Sequence, residues 1–251
     1  MLLCLNSDSI ILSSILSTVD SAQMTFSDRR GDMLFSQSSE DNALSLSIAQ
    51  QIFNQILKGE LQPNNKIIEG VYAEKLNLSR SPVREAIYLL ATEGIVERVP
   101  RKGAFVRAYN EREIFDLLEI RNELEFLSAK RLKDTHLQAE LLEKALTLLE
   151  EMEKIEDTIE YTYLNYEFHL CLIQFSGSVT IEDVYRKISL RLLQIQVLHF
   201  SDEKRVKNSR LEHRRLYDAL LTNDLETFMD ILRAHTTGVL SSFSSSKAEV
   251  K

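Results

Sequence analysis

Residues 77–106, NLSRSPVREAIYLLATEGIVERVPRKGAFV, are the stretch on which the fold turns. Asn77 tolerates the left-handed conformation that a tight helix-helix turn needs, and Ser79 is placed to cap the following helix by accepting a backbone N–H. Pro82 falls in a first helical turn, where no intrahelical donor is lost. Val83, Ala86, Ile87 and Leu90 then form one apolar stripe, which leaves Arg80, Ser81 and Arg84 on the opposite side. Ile95, Val96 and Val99, the basic turn PRKG, and Ala104, Phe105 and Val106 read as two short strands joined into a hairpin.

Upstream of this stretch, Ile48, Ile52, Phe53, Ile56 and Leu57 recur at helical spacing from Ser47, and Gly59 is a candidate C-cap. The turn LQPNNK follows, and the pattern predicts a second helix from Glu69 to Leu76 with Val71, Tyr72 and Leu76 on its buried side. Residues 41–107 are thus expected to form a three-helix head with a hairpin wing. Residues 1–40, rich in Ser and Asp and without a helical period, read as a mobile arm in which Met24 and Met33 are alternative translation starts. From Glu111 to Phe243 the apolar spacing (Ile114, Leu117, Leu118, then Leu124, Leu127, Leu132) predicts a bundle of six helices over residues 108–246, with 247–251 as a tail. The fold class expected is mostly α: an N-terminal winged helix-turn-helix followed by an all-helical bundle.

Composition agrees with a helical, globular chain, since only 7 Gly and 3 Pro interrupt 251 residues of which 44% are hydrophobic. Cys4 and Cys171 form no CxxC pair, so neither a disulfide framework nor a thiolate zinc site is indicated, and a reducing cytoplasm is the expected compartment. The opening MLLCLNSDSIILSSIL has no Lys or Arg before Arg29 and is interrupted at Asn6, Ser7 and Asp8, unlike a secretion signal. No run reaches the ~18 apolar residues of a spanning helix, so no membrane partner is expected. The net charge is −8, yet residues 79–107 carry six basic against three acidic residues. One local basic face inside an acidic protein excludes an architectural DNA-coating protein, which needs a broad positive surface.

Three histidines, His169, His213 and His235, fall in separate helical stretches and can converge in a bundle. Neutral imidazoles are common zinc or nickel ligands, and Asn165, four residues before His169, lies on the same helix face as a fourth donor. Such a site could activate water in a metal-dependent enzyme, the alternative reading. The chain has no HExxH, Walker loop, GxSxG or dinucleotide fingerprint, which argues against it.

The segment SRSPVREAIYLLATEGIVERVPRKGAFV resembles the signature of the GntR family of bacterial regulators, with its Ser-Arg-x-Pro-Val-Arg-Glu-Ala recognition helix and Gly-containing wing. The resemblance implies that Arg80 and Arg84 are the main DNA-contacting arginines, in the major groove, where a guanidinium can bond both acceptors of a guanine edge. Ser79 and Ser81 would bind phosphate, the wing turn at Arg101 and Lys102 would meet phosphate or minor groove, and Gly103 would let the wing approach closely. The chain departs from the family at Asn64 and Asn77, where Gly is usual, and at Gly70, where some members place a DNA-contacting Arg. The C-terminal half resembles the FCD domain of the FadR type, in its six-helix VanR-like form. The pattern of that domain becomes Asn165, Phe168-His169, Glu212-His213 and His235, which implies a divalent metal: zinc first, with nickel or manganese as alternatives. Asn165 stands where the family has Asp, offering a carbonyl oxygen without its charge. Arg121, in EIRNELEFLSAKRL, matches an arginine facing the effector pocket, where its planar fork suits a carboxylate, the other reading being a surface pair with Glu125. The family thereby implies a homodimer on a near-palindromic double-stranded DNA operator, repressing until a small organic or sugar acid releases it.

Overall fold

The computed structural model describes residues 43–132 and 137–244. The expected arm at 1–40 and the tail at 247–251 lie outside the described residues. The head begins with α1 (Ala43–Leu57), four residues earlier than the periodicity from Ser47 suggests, and ends at Gly59, whose φ of 73° supplies the left-handed stop. After it come β1 (Lys66–Ile67), α2 (Glu69–Leu76), α3 (Arg80–Thr92), β2 (Val96–Val99) and β3 (Gly103–Val106). Val83, Ala86, Ile87 and Leu90 of α3 pack against Ile48, Ala49, Ile52 and Phe53 of α1, all essentially inaccessible to water. This is the stripe read from the sequence.

Several local expectations need correction. Ser79 is the N-cap residue of α3, but its side chain makes no capping bond. An N-cap hydroxyl accepts from the second or third helical residue, and at the third Pro82 has no N–H, so one of the two usual donors is missing. Part of the turn LQPNNK becomes a strand, because Lys66 and Ile67 pair antiparallel with Phe105 and Ala104, so the wing is a three-stranded sheet in the order β1-β3-β2. Val71, expected to be buried, is 55% exposed; α2 turns Ala73 inward and leaves Tyr72 and Leu76 half-buried. Asn64 (φ 68°) and Asn77 (φ 54°) both occupy the left-handed region, as the Asn-for-Gly departures require.

Behind the head stand α4 (Glu111–Arg131), α5 (Ala139–Lys154), α6 (Thr158–Gln174), α7 (Val179–Lys187), α8 (Ser189–His199), α9 (Glu203–Leu221) and α10 (Leu225–Ser244). Seven segments replace the six expected. At Ile188 the chain makes a tight three-residue bond back to Tyr185 (3.2 Å) before helical bonding resumes with Leu192, which divides one long helix into α7 and α8. On α4, Leu117 and Leu118 are buried as expected, but Leu127 is 41% exposed; the inward positions around it go instead to Glu125, Ser128 and Ala129. Helix α4 opens with a reciprocal capping box between Asn110 and Glu113.

Helix α6 decides the architecture. Every residue from Tyr161 to Ile173 is buried, the condition of a helix with neighbours all round. Tyr163, Tyr166, Leu170 and Ile173 join the core of the head, whereas Tyr161, Leu164, Phe168, Cys171 and Leu172 join that of the bundle with α5, α9 and α10. Head and bundle therefore share one packed helix. Among the described residues no helix is long and apolar enough to cross a membrane.

Candidate functional site

The first candidate surface is the N-terminal turn of α3. Ser79, Arg80, Ser81 and Arg84 are all exposed there, opposite the buried stripe. The turn that aims them is held by Asn77, whose N–H bonds the carbonyls of Ala73 and Glu74. Arg84 is not free. Its Nη2 and Nε donate to Glu69 Oε2 at 3.0 and 3.2 Å, from an arginine side chain still 60% exposed. Arg80 lies across Gly70, where an added Cβ would meet its Nη2 at 3.7 Å.

In the wing, Arg101 and Lys102 are exposed; Arg101 takes a left-handed φ of 63°, and the Lys102 N–H closes the turn on Val99 O at 3.0 Å. Gly103 has φ 112°, and a Cβ there would approach Lys66 Cε to 3.1 Å. The wing glycine thus makes room for a side chain of its own sheet. Lys66 and Arg98 add cations that the sequence reading did not single out, lying 5.9 Å from the rings of Phe105 and Tyr88 respectively. Two isolated cations carry no pattern in a sequence.

The second candidate lies inside the bundle. His169 from α6, His213 from α9 and His235 from α10 bring one nitrogen each to within 4.8 Å of one another, and all three are buried. His169 Nε2 and His213 Nε2 face each other at 3.2 Å. A tetrahedral zinc with bonds of about 2.0–2.1 Å separates its nitrogens by roughly 3.3 Å, so small side-chain rotations would gather the three around one ion. Burial pushes the His169 imidazole down to about 4 and drives His213 well below its ordinary range, so both are neutral at physiological pH with lone pairs available. Asn165 Oδ1 and His235 Nε2 are buried with no hydrogen-bond partner. Orphaned acceptors are costly unless a hydrogen-bond donor or a cation meets them. The donor set fits a divalent cation.

Carboxylates orient this set. Glu212 Oε2 lies 2.6 Å from His235 Nδ1, which assigns the proton to Nδ1 and leaves Nε2 turned inward. Glu125 Oε1 is 3.2 Å from His169 Nδ1, close but without hydrogen-bond alignment. The same oxygen accepts from Arg121 Nε at 2.7 Å and from the Tyr185 hydroxyl at 3.2 Å. Burial works to raise the Glu125 carboxyl, but the Arg121 guanidinium outweighs it and holds it down at about 2. Arg121 and Glu125 do pair at i, i+4, though not on the surface: their side chains are 1% and 0% exposed. Arg121 Nη2 has no hydrogen-bond partner in this buried position. The orienting roles of Glu125 and Glu212 were missed because each depends on a contact between helices.

Residues 44–106 match the model of the bacterial regulatory proteins of the gntR family, and residues 116–238 match that of the FCD domain. Among curated proteins the chain is 28% identical over 197 residues to the uncharacterized HTH-type transcriptional regulator YdhC of Bacillus subtilis, covering 76% of this chain and 86% of that protein. It is 28% identical over 175 residues to the gluconate operon transcriptional repressor of the same organism, covering 68% and 70%. Among solved structures, a GntR transcriptional regulator from Rhodococcus sp. RHA1 superposes with a TM-score of 0.67 at 20% identity, over 79% of this chain and 96% of that one.

Proposed function

We propose that this chain, which belongs to the gntR family of bacterial regulatory proteins and carries an FCD domain, is a ligand-responsive, DNA-binding transcriptional regulator. The observation that carries the reading is the exposed face of α3. Ser79, Arg80, Ser81 and Arg84 project from a helix whose other side is locked in the core of the head. Arg80 and Arg84 read base edges in the major groove, Ser79 and Ser81 bond phosphate, and Arg101, Lys102 and Gly103 bring the wing against the backbone. Two copies, paired as a homodimer, meet the half-sites of a near-palindromic duplex in the cytoplasm. The domains divide at 41–107 and 108–246.

In the bundle, His169, His213 and His235, with Asn165 Oδ1 as fourth donor, hold a divalent cation: zinc first, nickel or manganese otherwise. Bound there, the ion supplies positive charge for a small organic or sugar acid, and Arg121 Nη2 adds an unused donor nearby. The gluconate operon transcriptional repressor among the relatives supports the sign of regulation, and its operon's name suggests a sugar acid as the first effector to try. The metal-dependent enzyme finds no support, as the matched relatives are regulators.

The test is selection of duplexes from a random library by the wild-type chain, followed by titration of the selected duplex with Arg84→Ala. Loss of roughly 1–3 kcal/mol is expected for removing a bidentate base contact. Equal binding would remove Arg84 from the reading face. Metal analysis of untagged wild type and His213→Ala tests the second site: a near-stoichiometric ion lost in the variant supports it, and absence from both eliminates it. Gluconate, added to the DNA titration, is the first effector probe.

A further inference from the structure

The first turn of α2 lies beside the reading face of α3, where Glu69 bonds Arg84 and Gly70 lies near the Arg80 guanidinium. Glu69 takes Nε and Nη2 of Arg84 together, across a contact between separate helices. An ion pair this exposed adds little stability, so its consequence is geometric. Two bonds to one carboxylate fix both the plane and the direction of a guanidinium that would otherwise spread over many rotamers. With its Nε edge engaged, the guanidinium is left with Nη1 and the second Nη2 proton pointing outward, an edge that matches the O6 and N7 acceptors of guanine. Independently, Gly70 leaves open the space over which the Arg80 guanidinium lies, 3.7 Å from where a Cβ would stand. Glu69 is also the only acidic residue in the first turn of α2, and Ile68 before it provides no side-chain cap.

We propose that Glu69 is a positioning residue for base recognition: it aims Arg84 at a guanine and thereby sets the sequence preference of the head. The inference rests on the DNA-reading assignment above. Its experiment is selection from a random duplex library with wild type, Arg84→Ala, Glu69→Asp and Glu69→Gln, comparing base preference position by position. The Arg84→Ala profile identifies the base pair that Arg84 reads. Glu69→Asp keeps the charge but shortens the reach, so preference for guanine at that position alone should fall about 2- to 12-fold, the cost of immobilising one long side chain on binding. Glu69→Gln keeps the reach and one acceptor oxygen; it should retain most of the preference while binding all duplexes more tightly at low salt, because a negative charge is gone. A wild-type profile for Glu69→Asp, or a uniform change of affinity with no positional effect in either variant, would overturn the proposal while leaving the DNA-reading assignment intact. If the wild type enriches no sequence at all, both fall together.

Discussion

The buried Arg121–Glu125 pair offers a demanding test of the bundle's energetics. Both side chains are shielded from water, and Glu125 Oε1 serves Arg121 and Tyr185 at once, with His169 Nδ1 close by. Removing one partner of a buried pair typically costs about 3–5 kcal/mol, because the other charge stays buried without compensation. Arg121→Met and Glu125→Leu should each lose that much. With an m-value near 3 kcal/mol/M, the urea midpoint followed by far-UV circular dichroism should drop by roughly 1–2 M. The double variant Arg121→Met/Glu125→Leu removes both charges and fills similar volume. Its remaining deficit is the lost acceptor of the Tyr185 hydroxyl, on the order of 1–2 kcal/mol. The double should therefore be more stable than either single, with a coupling of several kcal/mol around the cycle. Single losses under about 1 kcal/mol, or a double variant at the sum of the singles, would refute the picture of a desolvated, mutually dependent pair.

Gly94, at φ 75° between α3 and β2, should not accept alanine: the left-handed backbone costs about 1–2 kcal/mol, and the new Cβ would stand 3.2 Å from Arg191 Nε. The loss is read as a lowered midpoint in thermal unfolding of Gly94→Ala against wild type. Asn110→Ala should lower stability by about 0.5–2 kcal/mol through loss of the α4 cap. In the same box, the backbone N–H of Asn110 and then Arg107 hold the Glu113 carboxyl below its ordinary value of 4.5. Its folded pKa is thus below the unfolded one, so its contribution is present above that range and lost as pH falls through the folded value; melting curves of wild type and Glu113→Gln should converge in acid. Asn165→Asp should raise zinc affinity on the order of tenfold or more, measured against a competing chelator, by giving the site an anionic donor; unchanged affinity would mean that residue 165 is not a ligand.

What could be read in the sequence was local, and what could not was contact between distant segments. The stripe Val83, Ala86, Ile87, Leu90 needs only a period of 3.6, and it is buried to the residue. The left-handed positions at Asn64 and Asn77 need only the tolerance of Asn for positive φ. The cap expected at Ser79 does not form, and Pro82 at the third helical position removes one of the two N–H groups its hydroxyl could bond. Strand β1 is two residues long, and its existence depends on Phe105 and Ala104, far downstream in the chain. Three histidines in three helices were visible as residue types, but their approach to 4.8 Å follows from how α6, α9 and α10 pack. An i, i+4 spacing gave Arg121 its partner without saying that both ends lie in the interior.

The packing of α6 and α8 supplies a physical link between the two candidate sites. On α6, Tyr163 accepts from Gln50 Nε2 of α1 at 3.3 Å, while Asn165 and His169 stand on the opposite side of the same helix. On α8, Leu190 and Leu193 belong to the core of the head, and Gln196 accepts from Asn165 Nδ2 at 3.4 Å. From α8, Arg191 donates to the Glu93 carbonyl at 3.1 Å, and Tyr109 donates to the next carbonyl, that of Gly94, at 2.7 Å. Those two carbonyls end α3 and begin the wing. A close-packed interior passes displacement on rather than absorbing it, so drawing Asn165 toward an ion would pull against Gln196 and the helix that holds Arg191. The magnitudes are compatible: coupling between an effector site and a binding site is typically ~1–3 kcal/mol, and a hydrogen bond from a charged group to a carbonyl contributes about 1.5–3 kcal/mol. Loss or gain of the single Arg191–Glu93 bond would therefore be of the size that such coupling requires.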